Sequence, residues 1–384
     1  MIINETTAAC DVCGENHPAR YVKRDGRIEF EVLCPKGTRV GPVSRDAELF
    51  MHIRRRSMVD LTRPPRQEQS WSNLLAITDG CNARCPVCFA EAERDANPQF
   101  LSREHIARLG RGLRARGRHK ITLTGGEPTL HPELPAVVRD LRRMGLLVTM
   151  PTNGIKLGSD PAFARSLRKA GLGFTYIQLD SLDERVHARL RGDMPHKVKF
   201  KAMEHCRAAG LRFGIIATVI RDNLDHMGEL VRFASGFAPT LSLVVFQGAT
   251  PAGRFEVDLT SRVDREQMIH SLMDARVVDG LTADSVWPVP LYEALGVETH
   301  PDCCALVPLS VCGERLKPLD TVVDVGRLMR LMAESKIAPG FWGGHAGFVW
   351  YALRCVRPRC WGEFLATARG VISGRGKRSV VMVA

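Results

Sequence analysis

From Leu74 to Phe246 the chain alternates short apolar runs with stretches of helical spacing. Leu74-Leu75-Ala76-Ile77, ITLT at 121–124, LLVTM at 146–150, FTYIQL at 174–179, FGIIATVI at 213–220 and LSLVVF at 241–246 have the length and β-branched content of buried strands. Between them, residues 133–145 and 160–171 place apolar side chains on one helical face, and each stretch stops at a glycine. The second opens on Asp160-Pro161, an N-cap followed by proline at the first helical position. A further helix is predicted from about Val198 to Ala209, and another between the last two strands. Strands alternating with helices predict an α/β fold with a parallel sheet and helical crossovers. Such a sheet can close into a full or partial barrel or stay open, and in each case chemistry belongs at the C-terminal ends of its strands.

The flanks have a different texture. YVKRDGRIEFEV alternates apolar and polar positions around Asp25-Gly26, a hairpin signal. It lies between CDVC at Cys10 to Cys13 and LCPKG around Cys34. Two cysteine-bearing turns joined by a hairpin predict a zinc-ribbon or rubredoxin-like knuckle on Cys10, Cys13 and Cys34. Its fourth ligand is open among His17, His52 and a C-terminal cysteine. LTRPPRQEQS at 61–70 reads as a linker. From about Asp279 the pattern turns irregular and mixes prolines with cysteines, which suggests a metal-organised segment; a helix is expected within 322–336 and a flexible tail at 374–379. The division expected is a Cys-rich knuckle at 1–60, a core at 70–278 and a Cys-rich extension at 279–384.

Composition narrows the class. The 384 residues are 45% hydrophobic and 25% charged, as in a water-soluble globular protein. No apolar run approaches the ~20 residues of a membrane span, and MIINETTAAC lacks a basic stretch followed by an apolar one. A cytoplasmic location without a signal peptide is therefore expected. The net charge of +12 would suit a phosphorylated or otherwise anionic ligand, but it is spread along the chain, so nucleic acid is not an expected partner. Twelve cysteines in such a chain argue for metal or redox chemistry over disulfides. Only Cys206 stands apart, inside a helical pattern, where it reads as a small buried apolar residue.

The stretch TDGCNARCPVCFAEA, Thr78 to Ala92, carries Cys81, Cys85 and Cys88 at C-x3-C-x2-C spacing, just past the first predicted strand. Structural zinc takes four ligands and a disulfide takes two cysteines. Three thiolates suit a [4Fe–4S] cluster with one iron left free. A zinc knuckle with a distant fourth ligand is the competing reading until Gly125-Gly126-Glu127-Pro128 is considered, at the end of the next strand. The two motifs together resemble the radical S-adenosylmethionine (radical SAM) superfamily over about residues 70–250. That resemblance implies a partial (β/α) barrel with small Cys-rich N-terminal and C-terminal extensions. It assigns Cys81, Cys85 and Cys88 to the cluster and Gly125, Gly126, Glu127 and Pro128 to the methionine end of SAM, where glycine lets backbone approach a ligand closely. Thr152-Asn153-Gly154, Leu179-Asp180-Ser181, HARLRG at His187 to Gly192, Thr218 with Asn223, and Phe246-Gln247-Gly248 follow in order at strand ends. Among them Asn153, Asp180, Ser181 and Thr218, together with Phe89, are the implied contacts to SAM or substrate.

The leader, with C-x2-C, an Asp-Gly hairpin and Leu33-Cys34-Pro35, resembles that of the class D radical SAM methylase and tetraether-lipid-synthase group, as do CFAEA at 88–92 and HPDCC at 300–304. It departs from that group, in which Cys-Pro-x-His-Gly is common, because Cys34 is followed here by Pro35-Lys36-Gly37 and the histidine is absent. The group implies reductive cleavage of SAM to a 5′-deoxyadenosyl radical, hydrogen abstraction from an unactivated carbon, and alkylation, methylation or C–C coupling. It also implies a small-molecule or lipid substrate and an electron donor such as flavodoxin or ferredoxin. Cys303, Cys304, Cys312, Cys355 and Cys360 are candidate ligands of an auxiliary iron-sulfur cluster or a mononuclear iron or zinc, in a grouping that spacing does not reveal. A radical SAM dehydrogenase or peptide-modifying enzyme with auxiliary clusters is the alternative. A basic zinc-ribbon protein binding nucleic acid is a remoter one, which leaves Gly125 to Pro128 unexplained. His131, His187, His300 and His345 are read mainly as caps and packing residues, with proton transfer or ligation as the other use.

Overall fold

The computed structural model describes residues 1–56, 73–94, 97–288, 304–334, 351–373 and 378–383. The linker reading at 61–70, together with Cys303, His300 and His345, lies outside the described residues.

The N-terminal strands β1 (Ile2–Ala9), β2 (Asn16–Arg24), β3 (Arg27–Val32) and β4 (Arg39–Ser44) form an antiparallel sheet in chain order. Asp25 and Gly26 take left-handed φ values of 50° and 73°, and so make the tight turn that pairs Arg24 with Arg27. Helix α1 (Ala47–Arg55) starts at Asp46, whose carboxylate accepts from the N–H groups of Glu48 and Leu49. Phe50 of α1 packs with Ile28 of β3.

The central sheet holds β5 (Asn73–Ala76), β7 (Lys120–Thr124), β8 (Leu147–Thr152), β9 (Phe174–Gln178), β10 (Phe213–Val219) and β11 (Leu241–Gly248), all parallel and adjacent in that order. Strand β6 (Val87–Cys88) lies off this sheet. The crossovers include α2 (Arg103–Ala115), α3 (Leu134–Arg143), α5 (Pro161–Ala170), α7 (Lys197–Ala209) and α8 (Met227–Ser235), with short α4 (Ile155–Ser159) and α6 (Glu184–Arg191) at strand ends. The expected caps are in place: Asp160 accepts from the Ala162 N–H, and Gly171 closes α5 in the left-handed region. On β10 Phe213, Ile215, Ala217 and Val219 bury one whole face, while Ile216 and Thr218 on the other are half-buried toward the strand's C-terminal end. Ile121, Leu123, Val148, Met150, Ile177 and Ile215 join the helices in one core.

Beyond residue 279 the chain adds to this sheet, which the irregular pattern there did not foretell. Strand β16 (Arg378–Val383) runs parallel to β11, and β14 (Ala305–Cys312) is antiparallel to β16. Strands β13 (Trp287–Pro288) and β15 (Arg315–Pro318) pair with β14. No pairing among the described residues joins β5 back to this far edge, so the α/β arrangement is a partial, unclosed one. No helix among the described residues is long and apolar enough to cross a membrane.

Candidate active site at the strand ends

The cysteine loop leaves the C-terminal end of β5 and folds against the loop that follows β7. Gly126 N–H donates to the Thr78 carbonyl at 3.1 Å and Glu127 N–H to the Gly80 carbonyl at 2.9 Å. A Cβ on Gly125, at φ 136°, would stand 2.0 Å from Thr78 O, and one on Gly126 would stand 2.1 Å from Gly80 O. The sequence reading attributed these glycines to the approach of a ligand. The close approach seen in the structure is to the cysteine loop's own backbone. The Gly-Gly pair therefore sets the position of the three thiols.

Glu127 is buried and uses both carboxylate oxygens. Oε1 accepts from Thr129 N–H at 3.1 Å, Thr129 Oγ1 at 2.6 Å and Thr152 Oγ1 at 2.7 Å, and Oε2 accepts from Asn153 N–H at 2.8 Å. This carboxylate locks the end of β7 to the end of β8. Asn153 then reaches the cysteine loop, its amide donating to Asn82 Oδ1 at 2.7 Å. Pro128 opens the short helical turn at 128–130 and is buried.

Asp180, past the end of β9, is buried against Arg191. Arg191 Nε and Nη2 donate to its two oxygens at 2.7 and 2.9 Å, and Thr218 N–H donates to Oδ1 at 2.8 Å. Burial alone would raise the Asp180 carboxyl, but the Arg191 charge and these hydrogen bonds outweigh it and hold it below the usual value. The same guanidinium donates to Thr218 Oγ1 at 2.6 Å and to the Val87 carbonyl of the cysteine loop at 2.9 Å. Ser181 is buried, with its hydroxyl 2.8 Å from His226 Nδ1. Asn223 donates to the carbonyls of Asp180 and Thr218, both at 2.9 Å, and closes this corner.

The thiols sit in this frame. Burial pushes Cys81 up to about 11, with Glu127, Cys85 and Cys88 adding smaller negative-field contributions. Burial also raises Cys85, opposed by the nearby Arg191 charge. Three thiols on one strand-end loop, placed by the close packing of Gly125 and Gly126 against Thr78 and Gly80, have the ligand chemistry of a cluster bound through three thiolates. Phe89 projects outward at 83% exposure, so in this structure it forms no wall of the site.

Two residues escaped the sequence reading. Lys199 of α7 is buried and donates to Asn153 O at 2.9 Å, Gln178 Oε1 at 2.6 Å and Met194 Sδ at 3.1 Å. Burial lowers its amine to about 7. The other is Arg254, in β12 (Arg254–Phe255), which pairs antiparallel with β6 so that Arg254 faces Cys88 and Phe255 faces Val87. No local pattern announces either role, because both depend on contacts distant in sequence.

The remaining candidates divide. His131 caps, with Nε2 2.9 Å from Leu101 O and Nδ1 accepting from Glu133 N–H. His187 packs its ring 4.8 Å from that of His196. Cys206 is buried and burial pushes its thiol to about 12. Cys10, Cys13 and Cys34 come together at one end of the N-terminal sheet. His52, a possible fourth ligand, is instead paired with Asp284 at 3.1 Å. Cys355 is buried in a small apolar cluster with Val322 and Leu328, and Cys360 Sγ lies 3.5 Å from Thr321 O. Cys312 ends β14, and Cys304 is exposed just before that strand.

Residues 75–234 match the radical SAM superfamily. This chain carries a radical SAM domain. The domain implies a [4Fe–4S] cluster and SAM, and Cys81, Cys85 and Cys88 are the residues of this chain's strand-end loop that would hold the cluster. The chain is 26% identical over 318 residues to the 7,8-dihydro-6-hydroxymethylpterin dimethyltransferase of Methanocaldococcus jannaschii, covering 76% of this chain and 62% of that protein. It is 39% identical over 165 residues to the GTP 3′,8-cyclase of Marinobacter nauticus, covering 42% and 49%. The chain thus spans less than two thirds of the length of these relatives. Among solved structures, methylornithine synthase superposes with a TM-score of 0.45 at 16% identity, covering 60% of this chain and 69% of that one.

Proposed function

We propose that this chain is a radical SAM enzyme that alkylates an unactivated carbon of a small molecule, with methylation as the leading form of that reaction. The observation that carries the reading is the extent of the likeness to the pterin dimethyltransferase. It runs over 318 residues, roughly twice the 160 of the radical SAM match itself. The cyclase likeness covers only 165 residues.

When bound, the cluster and SAM supply reductive cleavage and hydrogen-atom abstraction. The chain's own residues do the positioning. Arg191 ties the cysteine loop to the ends of β9 and β10 through Val87 O, Asp180 and Thr218. Glu127 and Asn153 tie it to β8. Val87 of the cysteine loop is buried in an apolar cluster with Leu190, Ile220 and Ala249, which anchors the loop by burial of apolar surface. A small one-electron carrier, flavodoxin or ferredoxin, is the proposed donor, and a cytoplasmic setting suits both carrier and cluster.

The test is anaerobic turnover with a chemical reductant, SAM labelled in its methyl group, and 7,8-dihydro-6-hydroxymethylpterin as the first substrate assayed. The reading expects reductant-dependent 5′-deoxyadenosine, abolished by C85A, and a methylated pterin or other small-molecule acceptor. The SAM cleaved to deoxyadenosine keeps its methyl on methionine. The new methyl therefore comes either from a second SAM, seen as label in the product and S-adenosylhomocysteine released, or from another one-carbon donor added to the assay, seen as unlabelled methylated product. Deoxyadenosine formed with no methyl transfer to any acceptor tried, together with oxidation of an added peptide, would move the assignment to the dehydrogenase or peptide-modifying class.

A further inference from the structure

Outside the strand-end site, one group of side chains is built as a ligand set. Cys10 and Cys13 lie on the turn between β1 and β2, and Cys34 on the turn after β3. The three Sγ atoms lie within 4.8 Å of one another. Cys13 Sγ is 3.9 Å from Cys34 Sγ and 3.0 Å from His17 Nε2. An ion with metal–sulfur bonds near 2.3 Å in tetrahedral geometry sets its sulfurs about 3.8 Å apart. A [4Fe–4S] cube places each thiolate on a different iron and needs a wider spread.

The two turns repeat one design. Val12 N–H donates to Cys10 Sγ and Lys36 N–H to Cys34 Sγ, both at 3.4 Å. Each sulfur accepts from the amide two residues on. Gly14 N–H returns to Cys10 O at 2.8 Å and Gly37 N–H to Cys34 O at 2.9 Å, with φ values of 74° and 123° that glycine adopts readily. Such amides stabilise thiolate over thiol. Cys10 and Cys34 are also buried with Ala19 and Val32, so the group sits in an apolar shell. His17, on β2, has Nε2 3.0 Å from Cys13 Sγ and forms with Cys13 and the exposed Glu15 a second group that shares Cys13 with the first; a turn of its side chain brings the ring nitrogen to the open side of the three sulfurs.

We propose that Cys10, Cys13, His17 and Cys34 bind one tetrahedral zinc ion as a Cys3His site that staples β1, β2 and β3 together. The site is independent of the radical SAM cluster and of the reaction proposed above.

The test uses the full chain carrying C81A, C85A and C88A, so that the strand-end cluster cannot form. Zinc, iron and acid-labile sulfide are counted, and zinc is then replaced with cobalt(II). The proposal expects one zinc per chain, no sulfide retained at this site, and the intense visible absorption of tetrahedral thiolate cobalt. H17A should lose the ion to a chelator that leaves the parent loaded. H17C should keep it, with its cobalt bands shifted to lower energy as the set becomes four sulfurs, so failure of H17A to fold would not hide the result. A cobalt spectrum unchanged in both His17 variants overturns the assignment of that ligand. Sulfide-containing iron at this site, or a chain that binds neither zinc nor cobalt, overturns the site itself.

Discussion

Arg254 Nη1 donates to the carbonyl of Cys85 at 3.1 Å, across 169 positions of sequence. The same guanidinium reaches Ala92 O and Glu91 O at 3.1 to 3.2 Å and Glu93 Oε1 at 3.0 Å. Its side chain is only 9% exposed. The segment after β11 therefore ties the cysteine loop's backbone at Cys85, Glu91 and Ala92, and Arg191 ties it at Val87.

Removing that guanidinium should loosen the loop before the cluster is bound. R254A is expected to cost about 2 kcal/mol, since several loop carbonyls lose a charged donor. R254K should recover little of it, because an ammonium cannot match the planar fork. Limited proteolysis within residues 78–92 of the metal-free protein, and iron retained after reconstitution, are the readouts. Parent-like resistance and full iron in R254A would remove Arg254 from this role.

Gly126 and Gly112 separate packing from propensity. A methyl on Gly126 would collide with the Gly80 carbonyl, so G126A is expected to lose about 2–3 kcal/mol and most of its cluster. Gly112, in the interior of α2, has nothing within 4 Å of an added Cβ. G112A should stabilise by about 0.5–1 kcal/mol. Thermal unfolding of both variants checks the pair, and a neutral G126A would contradict the loop-on-loop account.

The Asp180–Arg191 pair is buried on both sides. R191M strands a buried carboxylate and should cost about 3–5 kcal/mol in urea unfolding of the metal-free chain. D180N together with R191M should recover part of that loss, because the uncompensated charge is gone. If the double variant is no more stable than the single, the charge is not what R191M exposes.

His187 should make the fold sensitive to acid. Its ring is buried and neither ring nitrogen has a hydrogen-bond partner. Burial, helped by the Lys199 charge, lowers it to about 3, from 6.5 in the unfolded chain. Below pH 6.5 the unfolded state binds a proton that the folded state refuses, so stability falls as pH drops from 6.5 toward 3. H187F should flatten that part of the profile, with little loss at pH 7 because no hydrogen bond is removed. Denaturant midpoints across that range test it; parallel profiles for the parent and H187F would count against it.

Much of this was legible in the chain itself. The strands 121–124, 146–150, 174–179, 213–220 and 241–246 and the caps Asp160 and Gly171 follow from local physics: short apolar runs, helical periodicity, and backbone angles that only certain residues adopt. The order of Cys81–Cys88, Gly125–Pro128, Asn153, Asp180 and Thr218 at successive strand ends was equally local, since each follows its own strand. Tertiary structure alone decided what binds those ends together. Gly126 against Gly80, Arg191 against Val87 and Arg254 against Cys85 are hydrogen bonds and close contacts between segments 46 to 169 residues apart, and no local periodicity encodes them. It also decided that β14 and β16 join the central sheet, because a strand's partner is set by which edge the folded sheet leaves open. Finally, it chose His17 over His52 as the neighbour of Cys13, since proximity to a thiol is a property of the folded sheet and not of spacing along the chain.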